Sequence, residues 1–338
     1  MTGLGFARPA IVLAAAVAAA VTAPAPMAFA QGRVSAIGSE MPIHILAPGA
    51  IAITPNGRSA YLAQEGPGTV TPITLATGKT RRPIMVGHPS AIAITPNGAS
   101  AYVTNAGHSG TGDTVTPITL ATGRTRRPIR VGLDPIAIAI TPNGKTAYVA
   151  NYLGNSLTPI TLATGRTGPA IRVREPSAIA ITPNGRTAYV INYSAGTVTT
   201  ITLATRKLGR PIKVGAEPWG IAITPNGRTA FVTNHGYPGT GDTVTPINLA
   251  TGRTARAIKV GRGPGAIAIT PNGKIAYVAD EGSNYSGNTV TPINVITRRA
   301  GRAIRVGSVP DAIAITPNGR TAYVCNGLGN TVTTFRIS

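Results

Sequence analysis

The chain has 338 residues, of which 43% are hydrophobic, 12% are charged and only 4% are aromatic. A single cysteine, Cys325, excludes an internal disulfide framework, so a packed core must supply the stability. Lysine and arginine number 31 against 10 aspartate and glutamate, a formal net charge of +21, which bears on partners and solubility rather than on fold.

Residues 1–30 have the layout of a secretory signal peptide. Arg8 precedes an apolar run over residues 10–21, and Ala28 and Ala30 frame a small-residue cleavage site. The run is shorter than the roughly 20 residues that span a bilayer, and no later segment is apolar for long enough. We therefore expect cleavage near Ala30 and a secreted or extracytoplasmic protein without a transmembrane segment.

A four-residue motif, Thr-Pro-Asn-Gly, recurs seven times at spacings of 41 to 46 residues. Its copies begin at Thr54, Thr95, Thr141, Thr182, Thr224, Thr270 and Thr316. Seven repeats of this length indicate a propeller or a solenoid. Each repeat contains four short β-type runs separated by turn residues, which predicts one four-stranded blade per repeat.

The motif has the chemistry of a tight turn between the first two strands of a blade. Proline presets the backbone and glycine takes the left-handed position, as in a type I turn that closes a hairpin. In five repeats, however, a proline such as Pro72 falls inside the third predicted strand and removes a backbone donor. We expect a local bulge there.

The two ends of the chain complement one another. The last repeat stops after its third strand, whereas residues 42–46 match the fourth-strand pattern. The N-terminal strand is therefore predicted to complete the last blade and close the ring. The resulting prediction is an all-β, seven-bladed β-propeller of four-stranded blades, forming a single domain over residues 31–338 and a monomer.

Residues 102–105 read Tyr-Val-Thr-Asn, and variants of this tetrapeptide recur at Tyr148, Tyr189, Phe231 and Tyr277. The chain thereby resembles the YVTN-repeat β-propeller family over essentially all of the mature region. That family is similar in fold to the haem-d1 propeller of nitrite reductases, and its members mostly lack an assigned chemistry. The resemblance implies architecture and export, but it transfers no catalytic residue, because Thr74 and Asn248 replace an expected aspartate.

Charge is expected to sort onto opposite faces. In a propeller the first and third turns of every blade form one rim, the bottom, while second turns and interblade links form the top. Most basic residues fall in the bottom turns and nine of the ten acidic residues fall in the top segments. The clearest candidates for a basic face are Arg81, Arg82, Arg126, Arg127, Lys207, Arg210, Arg298 and Arg299.

Two interpretations of the basic residues stay open. They are either solvated side chains that were copied with the repeat or a surface that binds an anionic polymer. Such a polymer is a cell-wall polyanion, an acidic membrane surface or extracellular nucleic acid, with binding that weakens as salt rises. For nucleic acid, no recognisable binding module or aromatic stacking pattern is present.

The top of the central channel is the candidate ligand site, because the top loops vary while the strands repeat. Its candidate residues are Trp219, Asp311, Asp134, Glu217, His88, His108 and His235. Trp219 is interpreted as either a packing plug or a ligand-stacking residue, and the histidines as either surface residues or ligands. Glycine-rich acidic turns over residues 107–113, 236–242 and 281–288 permit calcium or another divalent metal, but they match no strict motif, so we predict no cofactor.

Two functions compete. The leading one is an exported noncatalytic binding or scaffold protein with an acidic top and a basic bottom. The alternative is a propeller hydrolase or lyase, metal-assisted in one version, with its site at the top of the channel. The sequence contains no constellation of residues with mechanistic spacing, which favours binding over catalysis.

Overall fold

The computed structural model describes residues 43–236 and 239–337; the predicted signal peptide and cleavage site lie outside them. Within those ranges the regular structure is antiparallel β-strand, apart from the short 3₁₀ helices His108–Gly110 and Ser283–Tyr285. No helix in the described ranges has the length and apolar character of a membrane span. The prediction of an all-β propeller is confirmed.

Seven blades follow one another along the chain, each with its first strand nearest the axis and its second and third strands further out. The first strands are β2 (Pro48–Ile53), β7 (Pro89–Ile94), β12 (Pro135–Ile140), β17 (Pro176–Ile181), β22 (Pro218–Ile223), β26 (Pro264–Ile269) and β31 (Pro310–Ile315). The second strands are β3 (Ser59–Gln64), β8 (Ser100–Asn105), β13 (Thr146–Asn151), β18 (Thr187–Asn192), β23 (Thr229–Asn234), β27 (Ile275–Asp280) and β32 (Thr321–Asn326). The third strands are β4 (Thr69–Thr74), β9 (Thr114–Thr119), β14 (Ser156–Thr161), β19 (Thr197–Thr202), β24 (Thr243–Asn248), β28 (Thr289–Asn294) and β33 (Thr331–Arg336).

The fourth strand of most blades is split into two pieces. The pieces that follow the third turn are β5 (Lys79–Thr80), β10 (Arg124–Thr125), β15 (Arg166–Thr167), β20 (Lys207–Leu208) and β29 (Arg299–Ala300). The pieces nearer the top are β1 (Ile43–His44), β6 (Ile84–Met85), β11 (Ile129–Arg130), β16 (Ile171–Arg172), β21 (Ile212–Lys213), β25 (Ile258–Lys259) and β30 (Ile304–Arg305). In blade 5 the first piece is reduced to one bridge between Ile247 and Thr254.

The bulge expected at the third-strand proline lies in the outer strand. Val70 pairs with Ile84 but Ile73 with Thr80, so three outer-strand residues face two residues of the third strand. Tyr61 pairs with Pro72 in an unbroken register, and the Pro72 carbonyl accepts a hydrogen bond from the Arg81 amide. The proline nitrogen therefore faces the outer strand, which is interrupted opposite it. The same interruption occurs in blade 4, where Thr200 holds this place, so proline is not its only cause.

The ring closes as the two chain ends predicted. Ile43 and His44 of β1 pair with Val332 and Thr331 of β33, and first strand β31 of blade 7 packs beside β2 of blade 1. The first turns form a second ring, in which the glycine of each turn lies against the proline of the preceding blade, as Gly57 does against Pro317. Each of these glycine–proline contacts thus joins two neighbouring blades.

The core lies between neighbouring blades rather than inside one. A typical cluster joins Tyr102 and Val115 of blade 2 with Ile138 and Leu162 of blade 3. The repeated ring of the second strand is buried, and the Tyr102 hydroxyl donates to the Leu162 carbonyl at 3.2 Å. These rings therefore pack blade against blade, which leaves the top loops as the variable part of the fold.

Candidate functional site at the channel mouth

Two positions in each blade meet at the top of the axis. The first is the residue after the interblade proline, and the second is the residue directly after the second strand; together they are called here the channel mouth. The first position holds Gly49, Ser90, Ile136, Ser177, Trp219, Gly265 and Asp311, and the second holds Glu65, Ala106, Tyr152, Tyr193, His235, Glu281 and Gly327.

Backbone hydrogen bonds bring these two positions together. The Tyr152 amide donates to the Asp134 carbonyl at 2.8 Å and the His235 amide to the Glu217 carbonyl at 3.2 Å, and the same bond in blades 2, 4, 6 and 7 ties the second turn to the link before its blade. A register shift directly after the interblade proline, as between Pro135 and Ala137, frees the next residue from pairing. The mouth residues are thus set by local geometry that every blade repeats.

Blades 3 to 5 give the mouth an aromatic sector. Tyr152, Tyr193 and Trp219 follow one another around the axis, with ring centroids 6.2 Å and 5.6 Å apart. Trp219 is 7% exposed and forms one apolar cluster with Ile136 and Ala106. This cluster extends from blade 2 to blade 5, so Trp219 packs among other residues of the mouth, while both tyrosines keep some solvent access.

His235 connects this aromatic sector to a carboxyl group. Its ring lies 5.4 Å from that of Trp219, and its Nε2 is 3.3 Å from Glu281 Oε2. Both residues are buried, at 1% and 2% exposed. Burial raises the pKa of Glu281 and His235 partly offsets that rise, while Nδ1 of His235 has no hydrogen-bond partner among the described residues.

Blades 6, 7 and 1 give the mouth an acidic sector. Each of them combines one carboxyl residue with one glycine at the two mouth positions: Glu281 with Gly265, Asp311 with Gly327, and Glu65 with Gly49. Burial raises the pKa of Asp311 well above its ordinary value, and the nearby Glu281 raises it further. Burial raises the pKa of the Cys325 thiol, and the nearby Asp311 raises it further.

The histidines of blade 2 lie near the Glu65 end of this sector. The rings of His88 and His108 are 6.2 Å apart. Burial raises the pKa of Glu65, both histidines lower it, and Asp134 raises it. Asp134 is itself buried, with its carboxyl group close to Gly110 of the long second turn.

The structure divides the predicted top residues into groups. It places Trp219 against His235, His88 against His108, and Asp311 near Glu281, whereas Glu217 contributes its backbone carbonyl to the second turn. Sequence reasoning missed Tyr152, Tyr193, Glu281 and Glu65 as site residues. Aligning the residue that follows each second strand would have found all four of them.

The described residues contain no group of three or more side chains placed to hold a metal ion. In two of the glycine-rich turns the acidic residue lies beside an outer-strand cation instead. Asp113 Oδ2 is 3.8 Å from Arg130, and Asp242 Oδ2 is 3.4 Å from Lys259. The prediction of no cofactor, with calcium or another divalent metal as the permitted alternative, stays a prediction.

The opposite rim carries the predicted basic residues. The Leu162 amide donates to the Lys145 carbonyl at 3.0 Å, and the same bond recurs between Leu203 and Arg186, which places first and third turns at one rim. The eight predicted residues Arg81, Arg82, Arg126, Arg127, Lys207, Arg210, Arg298 and Arg299 are all exposed.

A cleft of about 780 Å³ lies between blades 4 and 5 and extends from this rim along the outer strand to Lys213 of β21. Arg210 and Lys213 line it from blade 4, and Arg253 lines it from the third turn of blade 5. Hydroxyl groups complete the lining, from Thr187, Tyr189, Thr200, Thr202, Thr251 and Thr254. The cleft combines cationic groups with hydrogen-bond donors, which suits an anionic group.

The fold and its axial mouth define the chain as a seven-bladed β-propeller. Among solved structures it is similar to hydrazine synthase of Kuenenia stuttgartiensis, with a TM-score of 0.78 and 23% sequence identity over 92% of this chain and 99% of that one. At this identity the similarity shows the shared fold alone. No protein-family model matches the sequence, and a comparison with curated proteins finds no match.

Proposed function

We propose that this protein is an exported, noncatalytic binding propeller of the YVTN-repeat type, which attaches to an anionic polymer through its bottom rim. The observation that carries the proposal is the cleft between blades 4 and 5. Three cationic side chains from two blades line that cleft, together with six hydroxyl-bearing residues. The tetrapeptide repeats and the signal-like N-terminus support the family and the export.

The chemistry of the cleft suits phosphate or carboxylate groups. A guanidinium group donates to two oxygens of one anion at once, and threonine hydroxyls add further donors. The described carboxyl groups lie at the other end of the blades, in second turns and interblade links. An anion in the cleft therefore meets no nearby acid, and the exposed arginines around the rim extend the positive surface along a polymer.

The test compares two triple variants that remove the same charge. The cleft variant removes the three cations of the cleft and carries Arg210→Gln, Lys213→Gln and Arg253→Gln. The control variant removes three cations elsewhere on the rim and carries Arg82→Gln, Arg127→Gln and Arg299→Gln. Binding of a linear polyphosphate is measured at several salt concentrations. We expect the cleft variant to lose about two to three units of slope in log K against log salt, because each phosphate contact contributes roughly 0.7–0.9.

The control variant separates a built site from general charge. If both variants weaken polyphosphate binding equally, the rim acts only through its net charge and the cleft is not the site. Wild-type protein that binds polyphosphate no better at low salt than at high salt would contradict the whole proposal. Polyglutamate and single-stranded DNA, tested alongside, distinguish a carboxylate polymer and a nucleic acid from a phosphate polymer.

A further inference from the structure

The channel mouth departs from the repeat in an ordered way. Strand and turn residues are nearly the same in all blades, yet the two mouth positions carry a carboxyl group in three consecutive blades, 6, 7 and 1, and aromatic rings in blades 3 to 5. Copying of a repeat gives the same residue in every blade. The separation into an acidic and an aromatic sector is therefore specific to this end of the channel.

Glycine makes room for the carboxyl groups. A Cβ atom added at Gly265 would overlap the Glu281 carboxylate, and one added at Gly327 would overlap the carboxylate of Asp311. Each of these two carboxylates thus lies against the glycine of its own blade. In blade 7 the carboxyl residue, Asp311, follows the interblade proline and the glycine, Gly327, follows the second strand, which is the reverse of blades 6 and 1.

Buried polar atoms without partners lie between or beside these sectors. His235 Nδ1 has no hydrogen-bond partner among the described residues, and neither has the hydroxyl oxygen of Ser177, the mouth residue of the blade before Trp219. His235 and Ser177 are 1% and 0% exposed. Buried polar groups are normally hydrogen-bonded, so two such atoms at one end of the axis indicate a bound molecule that supplies the missing partners.

We propose that the channel mouth binds a small organic cation, with its ammonium group between Glu281 and Asp311 and its carbon skeleton against Tyr193 and Trp219. Aromatic faces attract cations through their quadrupole, and carboxylates pair with them directly. This ligand goes beyond the proposed function, because the mouth and the basic cleft lie at opposite ends of the blades.

A bound cation changes the ionisation of the mouth carboxyl groups. Burial raises the pKa of Glu281 and of Asp311, because desolvation favours the neutral acid. A positive charge placed between them favours the carboxylate form. Binding is therefore expected to release protons, whereas a neutral ligand of the same shape releases none.

The experiment uses Trp219, the only tryptophan in the sequence, as its probe. Choline is titrated against the full chain and tryptophan fluorescence is recorded, with 3,3-dimethylbutan-1-ol as the neutral ligand of matched shape. We expect a saturable change with choline and binding of the neutral alcohol weaker by about tenfold or more, because the attraction of the positive charge to the carboxylates and to the aromatic rings is lost. Equal response to both ligands, or no saturable response to choline, overturns the proposal.

Isosteric variants locate the cation. Glu281→Gln and Asp311→Asn are each expected to weaken choline binding about tenfold, and Asp113→Asn, which removes a top carboxyl group beside Arg130, should leave it unchanged. Unchanged binding in both mouth variants contradicts the proposal. If those variants fail to fold, calorimetry of the wild type in buffers of different ionisation enthalpy decides instead: proton release supports the proposal and its absence refutes it.

Discussion

The first turns at the bottom rim and the channel mouth at the top belong to the same repeat, yet they follow opposite rules. Every first turn is the same: in the turn at Thr141, the threonine hydroxyl donates to Asn143 Oδ1 at 2.7 Å, and the Gly144 amide donates to the Thr141 carbonyl at 2.8 Å. The turns at Thr54 and Thr270 repeat these distances. At the mouth, by contrast, equivalent positions hold a tryptophan, an aspartate or a glycine.

The difference shows where the fold needs uniformity. A first turn satisfies its own backbone donors and acceptors within six residues, so the same sequence gives the same geometry in each blade. A mouth residue contacts neighbouring blades and the axis, and its environment differs from blade to blade. Four substitutions test this distinction, beginning with the largest expected effect.

The repeated scaffold should be sensitive to loss of volume. Ile138 in first strand β12 is almost fully buried between blades 2 and 3, so Ile138→Ala is expected to lower the free energy of unfolding by about 2–5 kcal/mol. The equivalent Ile179→Ala should cost a similar amount. Chemical denaturation measures both, and a loss under about 1 kcal/mol would show that the interblade core is not tightly packed.

Asp280, the last residue of second strand β27, differs from the asparagine that most other blades have at this position. Replacing it by asparagine should stabilise the protein. Five other blades have asparagine here, and Asn234 Nδ2 donates to Thr243 and Thr245 at 2.9 Å. Burial raises the pKa of Asp280 from 3.8 to about 6, although hydrogen bonds from Thr291, Thr289 and Gly261 oppose the rise. The charged form therefore destabilises the folded state.

The sign of the pH effect follows from that shift. Between pH 4 and 6 the unfolded chain gives up the Asp280 proton before the folded chain does, so stability falls as the pH rises. Asp280→Asn should remove this fall and raise the free energy of unfolding above pH 6 by roughly 3 kcal/mol. Denaturation of both proteins at pH 4 and pH 7 measures it, and the same difference in stability between variant and wild type at both pH values would contradict the assignment.

Gly220, next to the mouth residue Trp219, differs from the alanine that the other blades have at this position. Replacing it by alanine should destabilise the protein. The other blades have alanine at this position, but a Cβ at Gly220 would lie 2.5 Å from the Gly265 carbonyl oxygen of the next blade. Gly220→Ala is expected to cost about 1–3 kcal/mol. The matched control is Gly66→Ala, where nothing lies within 4 Å, and its effect should be neutral or slightly stabilising.

The smallest effect is expected in the outer part of the top loops. Asp113 and Arg130 form a 3.8 Å ion pair in which the arginine side chain is 87% exposed. Such pairs contribute little in water, so Asp113→Asn should change the free energy of unfolding by less than about 1 kcal/mol. Thermal denaturation at low and high salt checks this, and a larger effect would give the long second turns a structural role.

Much of the architecture could be predicted from local sequence. The seven Thr-Pro-Asn-Gly motifs define the blade number, and the missing fourth strand of the last repeat predicts the pairing of residues 43–44 with β33, which the structure confirms. The sequence predicted a bulge at the third-strand proline but not that the outer strand carries it, because this depends on which neighbour the proline nitrogen faces. That orientation is a property of the assembled sheet, not of the tetrapeptide around Pro72.

The contacts at the channel mouth were harder to predict from the sequence alone. Trp219 and Asp311 could be located by their interblade prolines, but the contact of His235 with Glu281 joins residues 46 positions apart in different blades. Glu281 reads in sequence as a loop acid, and only its burial distinguishes it from the partly exposed Asp113. Burial and the resulting rise in pKa depend on what the neighbouring blades place around a side chain.

The sequence by itself determined the number of blades, the turn that joins each first and second strand, and the closure of the ring, because each depends on short-range chemistry repeated seven times. The tertiary structure alone decided which mouth residues share one environment and where the cleft between blades 4 and 5 opens. Those features arise where different blades meet, and the distance and burial of their side chains follow from the closed ring rather than from any single repeat.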